Sequence, residues 1–429
     1  MPEQPTLRPE LGARWTAAAD TGAEAAFAAL EAAGGDVVWL DSSSGGAHII
    51  GTGDHTMLVR EGQAFLDGEP IAGDAIDALE HARRVFPGAW LGWFGYEAGV
   101  RLLGLAPSPT RFPEAAWLRL DRWVVVDDGR AQLQSTGEPW SLPSPPPVPA
   151  TTADAFPLDQ LAWRSDDAGY AALVRRCGEL IAAGEAYVLC LTSAITAPPI
   201  DPVATHLRLR ASSPVHHGGF LRIAGTTVTS ASPETFLEVR DGVAATRPIK
   251  GTRRRGEDAA SDAALGRELA SSEKERAENV MIVDLCRNDL SRVCELGSVT
   301  VTSLLSVETY PTAHQLVSGI RGRLRAGLGP LDAARVLFPA GSMTGAPKVR
   351  AVELLAELEG VGRGVYSGCF GVVAGDTCQL AMVIRSIVSD DAGCHIGVGG
   401  GITALSEPDF EVAELHLKAA PLLAALVPA

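Results

Sequence analysis

The chain has no uninterrupted apolar run of about 18 residues, the length that a membrane-spanning helix requires. The N-terminal stretch MPEQPTLRPELGARW also has no hydrophobic core segment of the kind that secretory signals carry. These two absences predict a protein that does not enter a membrane and is not exported, and we therefore expect a cytoplasmic location.

Patterns of cysteine and histidine that bind zinc are also lacking. The seven cysteines are scattered over the 429 residues, and no two of them form a CxxC pair. The nine histidines show no HExxH spacing, so a zinc site is not expected. An odd, dispersed set of cysteines is typical of reduced and buried thiols.

Positive charge is scarce, because 36 Lys and Arg residues stand against 52 Asp and Glu residues and leave a formal net charge of -16. This acidic excess argues against binding of nucleic acid. It also has a consequence for the substrate. If the substrate is an anion, local positive charge or a metal ion must offset the field of the protein.

A proline-rich stretch, GEPWSLPSPPPVPATTADAFP at 137–157, marks the clearest break in the chain. Proline at this density continues neither a helix nor a central strand, and it predicts an extended connector. We therefore expect a mostly β N-terminal portion (1–136), a connector (137–160) and a second portion (161–429). In the second portion helical patterns, including one long helix over 261–288, are mixed with strand patterns, which predicts an α/β fold with a mixed or antiparallel sheet.

Two pairs of glutamates share the spacing i, i+3 on predicted helices. Glu275 and Glu278 form one pair, and Glu411 and Glu414 form the other, with Lys418 one turn further along the same face. Four carboxylates from two helices could bind Mg²⁺, which takes oxygen ligands. The alternative is two solvated acidic faces with Lys418 in an ordinary ion pair.

Two glycine-rich segments could contact a ligand through their backbones. PAGSMTGAPK, at 339–348, contains Thr344 and fails as a Walker A loop because Ala-Pro-Lys follows Gly345. Its amides could hold an anion or could simply form a tight turn. The consecutive Gly399, Gly400 and Gly401 indicate either close approach to a ligand or a bend that requires positive φ.

Three single residues leave two interpretations each. Glu234, in the uncharged stretch ASPETF, is either a general acid with a raised pKa or an exposed turn residue. Arg385, in the apolar strand MVIRSIV, requires an anionic partner that is either a substrate carboxylate or an internal acid. Lys250, in RPIKGTRRRG, is either a solvated charge or a nucleophile in a pocket. On its own, His314 is interpreted as structural.

The order and spacing of several motifs resemble those of the chorismate-utilising enzymes over residues 165–425. The motifs are SPETF, RPIKGTRRRG, ENVMIVDLCRNDLSRV, FPAGSMTGAPKVRA, YSGCFG, VIRS, GGGI and SEPDFEVAE. This family includes anthranilate synthase component I, aminodeoxychorismate synthase component I and the isochorismate and salicylate synthases. The resemblance implies an α/β fold in which two β-sheets pack face to face with helices outside, and a site in a cleft between the halves.

The resemblance also implies roles for the residues named above. Mg²⁺ would be held by Glu275, Glu278, Glu411 and Glu414 and would bind the ring carboxylate of chorismate, while Glu234 would protonate the departing C4 hydroxyl. The remaining residues would contact the substrate: Thr344 and His314 would line the cavity, and its carboxylates would be held by Tyr366, Arg385, Lys418 and the amides of Gly399, Gly400 and Gly401.

Lysine in PIKGT resembles the aminodeoxychorismate synthase branch, whereas anthranilate synthases look like PIAGT. The resemblance implies that Lys250 adds to C2 of chorismate and is then expelled as ammonia adds to C4. Nucleophilic attack requires a neutral amine, and we expect Arg253, Arg254, Arg255 and the metal to lower the pKa of Lys250. The alternative is an anthranilate synthase component I that tolerates lysine.

The 429 residues contain no cysteine-centred nucleophile elbow followed by His and Glu, the signature of a glutamine amidotransferase. Ammonia is therefore expected from a separate glutaminase subunit or from free ammonium. The resemblance implies that a separate lyase would then form 4-aminobenzoate for folate synthesis.

Overall fold

The computed structural model describes residues 11–43, 45–144, 158–311 and 313–427. Within these ranges the helices are α1 Ala23–Ala32, α2 Ala75–Val85, α3 Tyr96–Leu102, α4 Asp167–Ala182, α5 Pro202–Ser212, α6 Ala259–Ser271, α7 Glu273–Ser291, α8 Pro330–Leu337, α9 Lys348–Glu359 and α10 Pro408–Leu426. None of these helices is both long enough and apolar enough to cross a membrane.

The strands of the described residues make up two sheets of 12 strands each, and all pairings between neighbours are antiparallel. They are β1 Trp15–Ala19, β2 Val37–Asp41, β3 His48–Thr52, β4 His55–Arg60, β5 Gln63–Leu66, β6 Glu69–Ile71, β7 Ala89–Phe94, β8 Ala115–Arg119, β9 Arg122–Asp127, β10 Arg130–Ser135, β11 Ala162–Trp163, β12 Val188–Ala197, β13 His217–Ile223, β14 Thr226–Ser232, β15 Thr235–Arg240, β16 Val243–Arg247, β17 Ile249–Arg254, β18 Thr300–Thr309, β19 Ala313–Arg323, β20 Gly345–Ala346, β21 Cys369–Ala374, β22 Thr377–Met382, β23 Ser386–Asp390 and β24 Gly393–Ile402.

Both sheets combine strands from before and after the proline-rich segment. The first has the order β1-β10-β9-β3-β2-β13-β14-β23-β24-β12-β11, with β20 on β12, and Trp39 of β2 lies opposite Phe220 of β13. The second has the order β17-β19-β16-β15-β22-β21-β7-β8-β4-β5-β6, with β18 on β19, and Gly92 of β7 lies opposite Gly371 of β21. Residues 145–157, most of the predicted connector, lie outside the described residues, and the predicted division into portions stays a prediction.

The two sheets pack face to face, as the family resemblance implied. Apolar residues of both sheets form one buried cluster, which includes Trp93 and Phe370 of the second sheet and Leu221 and Val388 of the first. An added Cβ on Gly219 would lie 2.6 Å from the Phe370 ring, so the sheets approach closely at this point. The predicted α/β class and the sandwich of two sheets are confirmed.

A local signal explains where the predicted long helix differs from the structure. The helix expected over 261–288 is divided into α6 and α7, because Ser272 adopts an extended conformation and its side chain accepts a hydrogen bond from the backbone of Glu275. Serine commonly begins a helix in this way. Helix α9 begins at Lys348, after Gly345, which has φ +142° and pairs with β12 in strand β20.

Candidate active site

Five segments of the chain converge around the glycines at the end of β24. An added Cβ on Gly401 would lie 2.6 Å from Glu278 Oε2 and 3.2 Å from Lys250 Nζ. An added Cβ on Gly400 would lie 3.3 Å from Glu411 Oε2 and 3.5 Å from Lys418 Nζ. Because Gly400 and Gly401 have no side chain, their backbone can lie directly beside these carboxylate and ammonium groups. Gly399 differs, because its added Cβ would meet the carbonyl of Leu191 on β12 at 2.3 Å.

Helices α7 and α10 bring the four predicted glutamates to this point, and each of them faces a cation. The pairs are Glu275 with Arg253 at 3.5 Å, Glu278 with Lys250 at 3.7 Å, Glu411 with Lys274 at 2.5 Å and Glu414 with Lys418 at 2.7 Å. Glu278 and Glu411 are buried, which removes the reading of two solvated acidic faces for these two residues. In the described part of the chain, no three Asp, Glu, His or Cys side chains are close enough together to enclose an ion.

The chemistry of the donor set nevertheless suits Mg²⁺. The four side chains offer only carboxylate oxygens, which this ion prefers, and Gly400 and Gly401 let the backbone approach these oxygens closely. Their environments differ strongly. Burial raises the pKa of Glu278 to about 7, whereas the ammonium of Lys418 lowers the pKa of Glu414 to about 2.

Lys250 on β17 is largely buried and is not a solvated charge. Its side chain retains 11% of its accessible surface, and Nζ lies 3.3 Å from the carbonyl of Ser342. Burial is the largest influence on its pKa and acts to lower it, but nearby carboxylates, above all Glu278, outweigh burial. The pKa of Lys250 is therefore raised above its ordinary value.

The prediction that three arginines depress this pKa was wrong. Their guanidinium groups are each paired with an acid: Arg253 with Glu268 and Glu275, Arg254 with Glu257, and Arg255 with Asp262. A neutralised guanidinium exerts little net field on Lys250. The carboxylates that follow β17, at Glu257 and in α6 and α7, decide this outcome, and they are not visible in the run of three arginines.

Glu234 lies just before β15 and is buried. Its Oε1 accepts a hydrogen bond of 2.7 Å from the hydroxyl of Ser342, the same residue whose carbonyl faces Lys250. Burial raises the pKa of Glu234 to about 7, and the Ser342 hydrogen bond and Lys250 lower it to a smaller extent. A carboxyl group that titrates near neutrality can donate a proton in this pH range.

Arg385 and Tyr366 lie near each other, and Tyr366 packs against β24. The Tyr366 ring lies against Gly397, where an added Cβ would be 2.1 Å from Cγ of the ring. Arg385 has φ +51°, and burial lowers its pKa. No hydrogen bond or salt bridge joins its guanidinium to another side chain or carbonyl within the described ranges. The internal acid that acts on Arg385 is Glu414, which raises its pKa without direct contact.

The polar side-chain atoms of Thr344 and His314 form hydrogen bonds with other residues of the protein. The Thr344 hydroxyl donates to the carbonyl of Ala340. The two ring nitrogens of His314 lie 2.9 Å from Thr309 Oγ1 and 2.9 Å from Asp262 Oδ1. The cavity-lining role of both residues stays a prediction.

The sequence motifs did not indicate a role for three further residues of the site. Ser342 bridges Glu234 and Lys250, Lys274 faces Glu411, and Arg363 holds the backbone around them. The Arg363 guanidinium donates to the carbonyls of Met343 and Cys190 at 2.7 and 2.8 Å. Such roles depend on contacts between distant segments, although Lys274 lies directly before Glu275 and could have been considered with it.

The buried Glu234 and Glu278, the adjacent Lys250 and the glycines at the end of β24 together form the candidate active site. A family described as "chorismate binding enzyme" matches residues 35–424. The chain belongs to this family of chorismate-binding enzymes, and the family resemblance drawn from its motifs is confirmed.

The chain is 40% identical to the aminodeoxychorismate synthase of Streptomyces pristinaespiralis, an alignment that covers 94% of this chain and 63% of the relative. It is 35% identical to aminodeoxychorismate synthase component 1 of Klebsiella aerogenes, over 83% of this chain and 78% of that protein. Anthranilate synthase component I from Streptococcus pneumoniae TIGR4 has a similar structure, with a TM-score of 0.76, 26% identity and coverage of 88% and 92% of the two chains. The chain thus spans less than two thirds of the length of the Streptomyces relative.

The environment of Glu234 predicts a pH dependence of stability. Its pKa is about 7 in the folded protein and ordinarily 4.5, so the folded state holds this proton more tightly. Its contribution to stability is therefore fully present below pH 4.5 and is lost as the pH rises through 7. We expect the free energy of unfolding of the wild type to fall, relative to that of Glu234→Gln, across this range in denaturant titrations. The exposed substitution Glu273→Gln is the control; if Glu234→Gln runs parallel to wild type like this control, Glu234 has an ordinary pKa.

Proposed function

We propose that this protein is an aminodeoxychorismate synthase component I, which converts chorismate and ammonia to 4-amino-4-deoxychorismate. The observation that carries the proposal is the buried amine of Lys250 next to Glu278 and Gly401. The similarity of this chain to relatives named aminodeoxychorismate synthase supports the same conclusion. A separate lyase would then release pyruvate and form 4-aminobenzoate for folate synthesis, and the reaction would take place in the cytoplasm.

The reaction follows from two successive displacements. The neutral amine of Lys250 forms a bond to C2 as the C4 hydroxyl leaves, and Glu234 supplies the proton with which it departs as water. Ammonia then forms a bond to C4 and expels the Lys250 amine from C2, so that the net reaction exchanges the hydroxyl for an amine. The Ser342 bridge places the acid and the nucleophile beside one another.

Lys250 has to lose a proton before it can attack. Glu278 and the other carboxylates keep its pKa high, so the free protein holds it as an ammonium ion. Once Glu278 is engaged elsewhere, burial is left as the largest influence and favours the neutral amine. Activation of the nucleophile is therefore coupled to the occupancy of the carboxylate cluster.

We propose Glu275, Glu278, Glu411 and Glu414 as the residues that hold Mg²⁺. The ion, when bound, supplies positive charge that neutralises a substrate carboxylate and polarises the ring. Chorismate is a dianion and the chain carries a net charge of -16, so this local positive charge is needed for binding.

The second carboxylate of chorismate requires its own partner. We propose Arg385 for it, because its guanidinium is partly buried and forms no ion pair with the described residues. Tyr366 and Lys418 lie on either side of the same glycine segment. The proposed substrate contacts are completed by the amides of Gly399, Gly400 and Gly401 and by Thr344 and His314.

Anthranilate synthase component I is the second candidate, because the solved structure of an enzyme with that name has the same fold at 26% identity. In that reaction ammonia attacks C2 directly, and a lysine at C2 would block its path. The position of Lys250 in the pocket therefore favours the first candidate.

The product formed by Lys250→Ala tests the proposal. Without the amine, ammonia gains access to C2, and we expect the product to change from 4-amino-4-deoxychorismate to 2-amino-2-deoxyisochorismate and anthranilate. The rate of the C4 reaction should fall by orders of magnitude, as it does when a nucleophile is removed. Chromatography of products formed from chorismate, Mg²⁺ and ammonium gives the measurement. Arg254→Ala, an exposed change in the same strand, should keep the wild-type product. Wild-type amounts of the C4 product from Lys250→Ala would contradict the covalent role.

Metal dependence is a separate prediction. Glu278→Gln and Glu414→Gln each remove one carboxylate of the proposed donor set, and we expect turnover to be abolished while the circular dichroism spectrum is kept. Chelation by EDTA should inactivate the wild type, and added Mg²⁺ should restore it. Glu273→Gln, on the solvent side of the same helix, serves as the control. Full turnover in chelated buffer would show that the four glutamates have another purpose.

The source of ammonia is tested with the purified chain. We propose that a glutamine amidotransferase subunit supplies it, because the signature of such an enzyme is not found in these 429 residues. The chain alone should turn over chorismate with ammonium and should be inactive with glutamine. Glutamine-dependent turnover by the purified chain would contradict this assignment.

A further inference from the structure

Lys274 places an ammonium group between two of the four glutamates. Its Nζ lies 2.5 Å from Glu411 Oε1 and 3.9 Å from Glu278 Oε1. Glu411 belongs to α10 and Glu278 to α7, so this single cation joins the two helices that carry the cluster. The ammonium of Lys274 therefore occupies the space in which a metal ion shared by both carboxylates would bind.

The position of Lys274 in its helix is unfavourable for a cation. Lys274 is in the first turn of α7, which begins at Glu273, and the helix dipole disfavours positive charge there. Its ammonium makes no other hydrogen bond or salt bridge within the described ranges. The two glutamates are thus the reason for its placement.

The other three cations of the cluster have additional bonds. Lys418 donates to the carbonyl of Gly399, Lys250 to the carbonyl of Ser342, and Arg253 is also bound to Glu268. Lys274 alone depends entirely on the cluster, and its side chain retains 25% of its accessible surface. Its long stem therefore has a route to solvent that does not disturb the core.

We propose that Lys274 is an internal counter-ion that neutralises Glu411 and Glu278 in the metal-free protein and is displaced when Mg²⁺ binds. This inference rests on the magnesium site of the proposed function. A divalent ion on the same carboxylates repels an ammonium at this distance, so the two cations exclude one another. Lys274 lowers the affinity for Mg²⁺ and in return keeps the buried carboxylates paired while no metal is bound.

Isothermal titration of Mg²⁺ into the substrate-free protein tests this exchange. We expect Lys274→Met to bind Mg²⁺ about five- to tenfold more tightly than wild type, the change that loss of one partly buried ion pair produces. Arg276→Met removes the same charge from the same helical turn, where the side chain is exposed and donates a hydrogen bond to the carbonyl of Ala270. This control should bind Mg²⁺ as wild type does.

Thermal unfolding provides the second readout. In EDTA, Lys274→Met should unfold at a lower temperature than wild type, and saturating Mg²⁺ should raise its midpoint by more than it raises that of wild type. If Lys274→Met does not fold, Lys274→Gln, which keeps hydrogen-bonding capacity, takes its place.

The outcomes separate this inference from the proposed function. Equal or weaker Mg²⁺ binding by the Lys274 variants, with wild type binding normally, overturns the counter-ion exchange alone. Failure of wild type and variants to bind Mg²⁺ overturns the metal site and the exchange with it. Tighter binding that Arg276→Met reproduces overturns the exchange too, because long-range charge would then explain it.

Discussion

The site depends on one buried guanidinium, that of Arg363. It is bonded to Glu359, to the carbonyls of Met343 and Cys190, and it lies over the ring of Tyr96. These contacts join the GSMTGAPK loop, strand β12 and a helix of the N-terminal part. A buried ion pair is stable only when its hydrogen bonds are complete, and removal of one partner costs about 3–5 kcal/mol. Arg363 therefore adds to the pairing of β20 with β12 that positions the loop carrying Ser342.

Charge balance is the second constraint, and it follows from the first. The rigid backbone brings four carboxylates to a small region in an acidic protein, and four cations pair with them before any ligand arrives. The site is therefore close to neutral in the free protein. The proposed Mg²⁺ and a dianionic substrate would together add no net charge, so their binding would require an exchange of partners and no change in total charge. Such an exchange would allow an overall acidic chain to accept an anion.

Local patterns in the sequence were sufficient for part of this description. The spacing of Glu275 and Glu278 predicted a shared helix face, and the two-sheet architecture followed from the family resemblance. The split of the long helix at Ser272 was missed because a helical periodicity continues across it, while a single capping serine decides the break. The partners of the arginines after Lys250 lie only 3 to 22 residues further along the chain. They were missed because the run of arginines does not show how the chain turns back from β17 into α6 and α7. The contact of Arg363 with Cys190 was missed because it joins segments that are distant in sequence.

The interleaving of the sheets has a consequence for how the chain is made. Trp39 of β2 pairs with Phe220, and Gly92 of β7 pairs with Gly371, so each sheet is closed across its middle by strands that are synthesised much later. Contacts this distant in sequence form slowly. Until β13 and β21 leave the ribosome, β2 and β7 are unpaired edges whose tryptophans are exposed, and such edges readily join other chains. The cluster is completed later still, because Gly399, Gly400, Gly401, Glu411 and Glu414 follow both β13 and β21 in the chain.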